Sequence, residues 1–406
     1  MNQMNQMNQP MVSVAQALEQ LLAGARPVAQ TESVATLAAT GRVLAKPQHA
    51  AVNVPPLDNT SMDGYAVRSA ECDGGARLRV SQRIQAGNIG SPLEPGTAAR
   101  IFTGAPIPPG ADAVVMQENC TVEGDHVLIA HQPAPGEWIR HVGDDIRAGT
   151  RILEAGIRMR PQDAGLAASV GIASVSVYRQ LKVAVFFTGN ELVMPGEPLP
   201  EGAIYNSNRF TLTALLRQLG CEITDLGIVP DSLEATREAL RHAARDNDLV
   251  ITSGGVSAGE EDHVKPAVEA EGRLDMWKIA VKPGKPLAFG RVAQTAFIGL
   301  PGNPVSAFVT FVIFVRPFIL RSQGLERIEP PVFPLRADFD WTRPDARHEF
   351  LRARLNAAGG LDLFPNQGSA VLSSTVWGEG LIDNPPRRAI HRGDVVRFMP
   401  WAGLFQ

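Results

Sequence analysis

A chain of 406 residues exceeds what one compact core supports and is expected to divide into several domains. With 44% hydrophobic and 20% charged residues it has an ordinary globular composition, and a formal net charge of −4 excludes a general pull toward nucleic acid or anionic membrane. Cys72, Cys120 and Cys221 lie far apart without CxxC or Cys/His spacing, so neither a zinc site nor a disulfide framework is indicated, and a reducing cytoplasm fits.

Met1 to Pro10 is a repeated Met-Asn-Gln tract without a basic or apolar segment, so it is expected to be a disordered tail and not a secretory signal. Val14, Ala17, Leu18, Leu21 and Leu22 fall at helical spacing, and a second short helix is expected over Ser33 to Val43. From Ala50 to about Gly143 the texture changes to short strands cut by Pro and Gly, among them Ala98–Phe102 and Ala113–Met116. Arg151 to Tyr178 offers a strand, a helix near Gln162–Val170 and another strand.

Regular α/β alternation follows: strands at Lys182–Phe187, Glu222–Val229 and Asp248–Thr252, helices at Asn208–Leu219 and Asp231–Arg245, and a hairpin over Phe289–Phe297. This predicts a doubly wound, mostly parallel sheet. The run Val305–Val315 is about half of a bilayer span and reads as a buried helix. Beyond Glu329-Pro330-Pro331, short alternating runs (Phe333–Phe339, Glu349–Leu355, Val395–Phe398) suggest a small β-barrel-like domain. The expected fold class is therefore α/β and multidomain: tail 1–10, a small α/β linker domain from 11–49 and 144–178, an inserted β-rich domain 50–143, the α/β sheet domain 179–326, and a C-terminal β domain 327–406.

Chemistry concentrates between Asp248 and Pro304. The strand ending at Thr252 empties into Ser253-Gly254-Gly255-Val256-Ser257-Ala258-Gly259, followed by Glu260, Glu261 and Asp262. Glycines let backbone N–H groups approach a phosphate, and the acids beyond can hold Mg²⁺ against it. Lys278 and Lys282 alternate onto one face of an extended segment ending in Pro283-Gly284-Lys285-Pro286 and suit an oxyanion. Pro301-Gly302-Asn303-Pro304 reads as a helix start, with Asn303 at the N-cap and Pro304 first in the helix, whose N–H groups favour an anion. Singly these are a turn, a solvated loop and a helix start; together, three loops after expected strand ends should gather at one sheet edge, where α/β folds place ligands. No GxxxxGK[ST] string occurs, so any phosphate is held without a Walker loop. His263 reads as a surface or packing residue.

Pro56-Leu57-Asp58-Asn59-Thr60-Ser61-Met62-Asp63-Gly64-Tyr65-Ala66 resembles the signature of the molybdopterin molybdenumtransferases, the MoeA family that also forms one end of gephyrin. Thr103-Gly104-Ala105-Pro106, Thr188-Gly189-Asn190-Glu191-Leu192, Ser253–Ser257 with Asp262, Lys282–Pro286 and Leu300–Ser306 resemble that family's other motifs, in its order. The resemblance runs from Val12 to the C-terminus. It implies a cytoplasmic homodimer of elongated four-domain subunits that joins molybdate to the dithiolene of adenylylated molybdopterin, releasing AMP with Mg²⁺ present. It places the active site between subunits, the sheet domain of one facing the inserted domain of the other. A molybdopterin adenylyltransferase and cofactor-accepting apoenzymes are the implied partners, with no nucleic acid and no membrane.

Carried over by position, the resemblance makes Asp63, Glu191 and Thr103 catalytic. It makes Asp262, Asp231 and Glu191 metal or nucleotide-site acids, and Gly254, Gly255, Ser257, Lys278, Lys282, Lys285, Pro301 and Pro304 substrate-binding. Molybdate is a dianion whose oxo groups leave as water when sulfur replaces them, so cations must bind it while carboxylates move protons. Structural alternatives stay open: a turn acid for Asp63, helix caps for Glu191, Asp231 and Asp262, a strand-end hydroxyl for Thr103. Asn190 departs from the family's usual Asp and Thr60-Ser61 from its Ser-Ala; Arg347, Arg352 and Ser369 match loosely. Two other functions fit the same fold, a molybdopterin adenylyltransferase and a non-catalytic molybdopterin-binding scaffold.

Overall fold

The computed structural model describes residues 11–256 and 262–404, without the side chains of Met276 and Trp277. The expected tail 1–10, and Ser257, Glu260 and Glu261, lie outside the described residues.

Helix α1 (Val14–Ala23) starts at a capping box in which Gln16 N–H donates to Ser13 Oγ at 3.2 Å and Ser13 N–H to Gln16 Oε1 at 3.1 Å. Its buried Ala17 and Leu21 share an apolar cluster with Val183, Phe311 and Phe318, so this helix packs on the α/β domain. The helix expected over Ser33–Val43 is instead strand β1 (Thr31–Ala35) followed by one 3₁₀ turn.

The inserted domain is a six-stranded sheet of β2 (Gly64–Val67), β3 (Ala76–Ile84), β4 (Thr97–Ile101), β5 (Ala113–Met116), β6 (Cys120–Glu123) and β7 (His126–Ile129), in the order β5-β2-β4-β3-β7-β6. Gly64 opens β2 because a Cβ there would lie 2.0 Å from Val115 O. Past α2 (Pro161–Ser169), β8 (Ser174–Tyr178) returns to pair antiparallel with β1, setting Val34 opposite Val175. That cross-strand pairing of β-branched residues is why the helical spacing at Ser33–Val43 loses.

The α/β domain contains β9 (Lys182–Thr188), α3 (Ser207–Gln218), β10 (Glu222–Val229), α4 (Leu233–Asp246), β11 (Leu249–Ser253), α5 (Val264–Glu271), β12 (Gly272–Lys278), β13 (Val281–Lys282), β14 (Pro286–Val292) and β15 (Thr295–Leu300). Its sheet runs β10-β9-β11-β15-β14-β12. The first four strands are parallel, but β14 and β12 are antiparallel to their neighbours, so the sheet is mixed rather than wholly doubly wound. A hairpin through Ala293, at φ 51°, turns β14 back into β15 and leaves no room for a crossover helix. Alternation fixes the layers. Val183, Val185 and Phe187 face a core shared with α3 and with α6 (Pro304–Ser322), whereas Ala184 and Phe186 face one shared with α4 and α5. Helix α6 is long and apolar enough to cross a membrane but is 94% buried.

The C-terminal sheet follows the path β13, β17 (His348–Leu355), β18 (Gly380–Asn384), β19 (Val395–Pro400), β16 (Phe333–Arg336). Its edge strand β13 is donated by the α/β segment, parallel to β17, with Lys282 opposite Glu349.

Asp248 ties the start of β9 to Arg179: both guanidinium arms donate to its carboxylate at 2.7 Å, and Lys182 N–H donates at 2.9 Å. Burial raises the pKa of Asp248, but these donors outweigh it and hold it below the usual range. A depressed folded-state pKa means stability present above the unfolded value and lost as pH falls. Asp248→Asn is therefore expected to destabilise by about 1–2 kcal/mol at neutral pH. In melts against pH, the gap from wild type should close below about pH 4.

Candidate active site

A cleft of about 640 Å³ opens at the carboxyl ends of β9, β11 and β15. Its floor is the Gly254-Gly255 turn. At Gly254 (φ +97°) a Cβ would lie 2.5 Å from Thr188 O, and at Gly255 (φ +65°) 2.5 Å from Val264 Cγ2, so only glycine fits this conformation. Thr188 Oγ1 beside them is buried and has no hydrogen-bond partner among the described residues. Asn208 of α3, buried, donates Nδ2–H to Ser253 Oγ at 2.9 Å and to Gly302 O at 2.7 Å, while Ser253 Oγ–H donates to Pro301 O at 2.9 Å. One amide thus fixes the glycine loop against the Pro301–Pro304 loop; the sequence reading missed it.

Glu191, Asp231 and Asp262 line the same cleft. Glu191 lies in a turn, its carboxyl folded over Gly189, and is not a helix cap. Asp231 is not the cap of α4 either: Ser232 Oγ accepts from Ala235 N–H at 3.3 Å.

The opposite wall is Lys282-Pro283-Gly284-Lys285-Pro286 with Arg347, Gln367, Gly368 and Ser369 of the C-terminal domain. Gly284 (φ +111°) is pressed against α6, where a Cβ would meet Thr310 Cγ2 at 2.5 Å. Lys282 Nζ lies 3.2 Å from Glu349 and 3.4 Å from Asp345. Arg347 binds Asp345 through two arms at 2.9 Å and holds its carboxyl well below the usual range. Lys285 is exposed on the wall and has no ion pair among the described residues.

The structure departs from expectation at four residues here. Lys278 ends β12 opposite Pro286, so it does not share a strand face with Lys282 and is not among the cleft's lining residues. Pro301 lines the cleft, but Pro304, the first residue of α6, does not. Asn303 holds the N-cap position without a side-chain cap bond, and Val305 N–H donates to Ser369 O at 3.0 Å, so one helix-start donor is already used. Arg352 does not enter the cleft: fully buried, it donates to Ser374 Oγ, Phe350 O and Gly368 O and so supports the Gln367–Ser369 wall.

Asp63 and Thr103, forty residues apart in sequence, meet in the inserted domain, outside this cleft. Thr103 N–H and Oγ–H both donate to Asp63 Oδ1 at 2.8 Å. Those bonds, led by the backbone donor and helped by the Arg100 charge, hold the Asp63 carboxyl below its ordinary value. It is an ionised acceptor at neutral pH.

The fold and cleft define a multidomain α/β protein whose glycine turn is faced by cations and acids. Family models describe residues 12–171 as the MoeA N-terminal region (domains I and II), 184–321 as a probable molybdopterin binding domain, and 334–401 as the MoeA C-terminal region (domain IV). The molybdopterin molybdenumtransferase of Haemophilus influenzae is 41% identical over 402 residues, covering 97% of this chain and 100% of that protein. The molybdopterin molybdenumtransferase of a Nostoc species is 38% identical, covering 84% of this chain and 80% of that protein. A crystal structure of the MoeA molybdopterin biosynthesis protein of Pyrococcus horikoshii superposes with a TM-score of 0.84 at 28% identity, covering 97% of this chain and 100% of that one. The chain belongs to the MoeA family, the molybdopterin molybdenumtransferases of molybdenum cofactor biosynthesis.

Proposed function

We propose that this enzyme inserts molybdate into adenylylated molybdopterin, with release of AMP. The observation that carries the reading is one cleft with a glycine cradle and three carboxylates on one side and Lys282, Lys285 and Arg347 on the other. A ligand bearing phosphates and a second, separate oxyanion suits that division. Gly254 and Gly255 give a phosphate close approach to the backbone, and the cationic wall takes molybdate.

The donor set also fits Mg²⁺. Among the described residues no three acidic, histidine or cysteine side chains converge on one point, so they form no all-protein cage. Mg²⁺ favours one or two carboxylates plus substrate phosphate, and Glu191, Asp231 and Asp262 line the cleft together with the unpartnered Thr188 hydroxyl. When bound there, the ion would neutralise charge on the phosphate oxygens. Glu191 and Asp231 orient that end of the ligand, while Lys282 and Lys285 hold the oxyanion.

Asp63, kept ionised by Thr103, takes a proton from a dithiolene thiol as its sulfur bonds to molybdenum and passes it to an oxo group, which leaves as water once it has gained both thiol protons. Because Asp63 lies outside the cleft of its own chain, the reading includes a homodimer in which the inserted domain of one copy completes the site of the other. Supplying purified protein with molybdopterin and ATP distinguishes this from adenylylation. No adenylylated product is expected without a separate adenylyltransferase, and its formation by this protein alone would overturn the reading.

A further inference from the structure

Lys282 reaches the cleft on a strand shared by two domains. β13 leaves the α/β sheet after β12, joins the edge of the C-terminal sheet, and returns into β14. There Glu349 is fully buried and its carboxylate fully engaged: Oε1 faces Lys282 Nζ at 3.2 Å, while Oε2 accepts from Trp341 Nε1–H at 2.9 Å and Asn384 Nδ2–H at 3.3 Å. Glu349, Trp341 and Asn384 do not line the cleft, whereas Lys282 does. A buried carboxylate is strongly unfavourable without its cation, so Glu349 constrains where the Lys282 ammonium stands. With Asp345 serving Lys282 and Arg347 together, two cleft cations share two carboxylates, and this part of the wall is neutral in sum.

We propose that Glu349 is a positioning residue for the oxyanion subsite: it fixes Lys282 on the cleft wall and limits that wall's net charge, making the C-terminal domain part of the site. The inference rests on the reading of the cleft as the molybdate site only for its effect on turnover. Removing the Glu349 charge takes a negative charge away from an incoming dianion and at the same time releases Lys282. Affinity and rate should therefore move apart, which simple damage to the fold would not produce.

The test uses full-length Glu349→Gln. Its kcat is expected to fall by between about tenfold and about a hundredfold, with molybdate KM and equilibrium-dialysis affinity unchanged or tighter. Acylation of lysines, read by peptide mass spectrometry, should be several-fold faster at Lys282 and unaltered at Lys285. Glu349→Asp, which keeps the charge but withdraws the carboxylate from Lys282 by one methylene, should move both readouts the same way but less, and decides the matter if the first variant does not fold. Unchanged Lys282 reactivity in a folded variant would overturn the proposal, as would kcat and affinity falling in parallel. If wild type binds no molybdate while Lys282 is still released by Glu349→Gln, the positioning role stands and the molybdate reading fails.

Discussion

Asp63→Asn is expected to lower molybdate-dependent AMP release by at least about a hundredfold, because the amide cannot accept the proton that the carboxylate takes. Its melting temperature should stay within about 2 °C of wild type, since the two donors from Thr103 can still meet the remaining side-chain oxygen. Glu191→Gln is expected to be comparably inactive. Mixing the two inactive proteins separates a shared site from a self-contained one. Randomly exchanged subunits give dimers in which one of the two sites has both wild-type acids, and about a quarter of wild-type activity should return. No recovery after verified exchange would mean that Asp63 and Glu191 act within one chain, or that Asp63 does not act at all. The pH profile gives a second check: since the Asp63 pKa is depressed, the acid limb of activity assigned to it should lie below the ordinary carboxylate range.

Arg352→Ala is the substitution with the largest expected effect on structure. The guanidinium is fully buried, burial lowers its pKa to about 10, and it remains charged at neutral pH. It donates to Ser374 Oγ at 3.0 Å, Gly368 O at 3.2 Å and Phe350 O at 3.3 Å, and Gln367 bonds to its backbone at both ends. Alanine strips these acceptors and leaves a cavity, together about 3–5 kcal/mol. Urea unfolding of the C-terminal domain should shift accordingly, and binding in the cleft should weaken because the wall at Gln367–Ser369 loses its support. Lysine should recover little, since it cannot reproduce the planar fork. A variant with wild-type unfolding would show that the three contacts contribute nothing net.

What could be read from the sequence follows the range of the interactions. Alternation along Lys182–Phe187 and the apolar spacing of the helices declare which faces are buried, and β9, α3 and α4 stand close to where the patterns put them. Gly254 and Gly255 were legible for a local reason, since only glycine supports that turn. The antiparallel β14–β15 hairpin was legible over Phe289–Phe297, but the antiparallel place of β12 at the sheet edge was not, because a strand's own pattern does not state its neighbour's direction. Asn208, Glu349 and Arg352 were missed or left loose as well. Their partners lie across distances such as the 94 residues from Asn208 to Gly302 or the 67 from Lys282 to Glu349. Lys278 and Lys282 illustrate the opposite error: a spacing that suits one extended strand is broken where the chain crosses from one sheet to another.

The most direct measurement is to count AMP released and molybdenum bound to molybdopterin in the same reaction, starting from purified adenylylated molybdopterin, Mg²⁺ and limiting molybdate. Insertion coupled to cleavage gives equal amounts, with AMP release stopping when molybdate is exhausted. AMP released at the same rate without molybdate, or ligand bound with neither AMP nor molybdenum-loaded product formed, would contradict a molybdate-inserting enzyme.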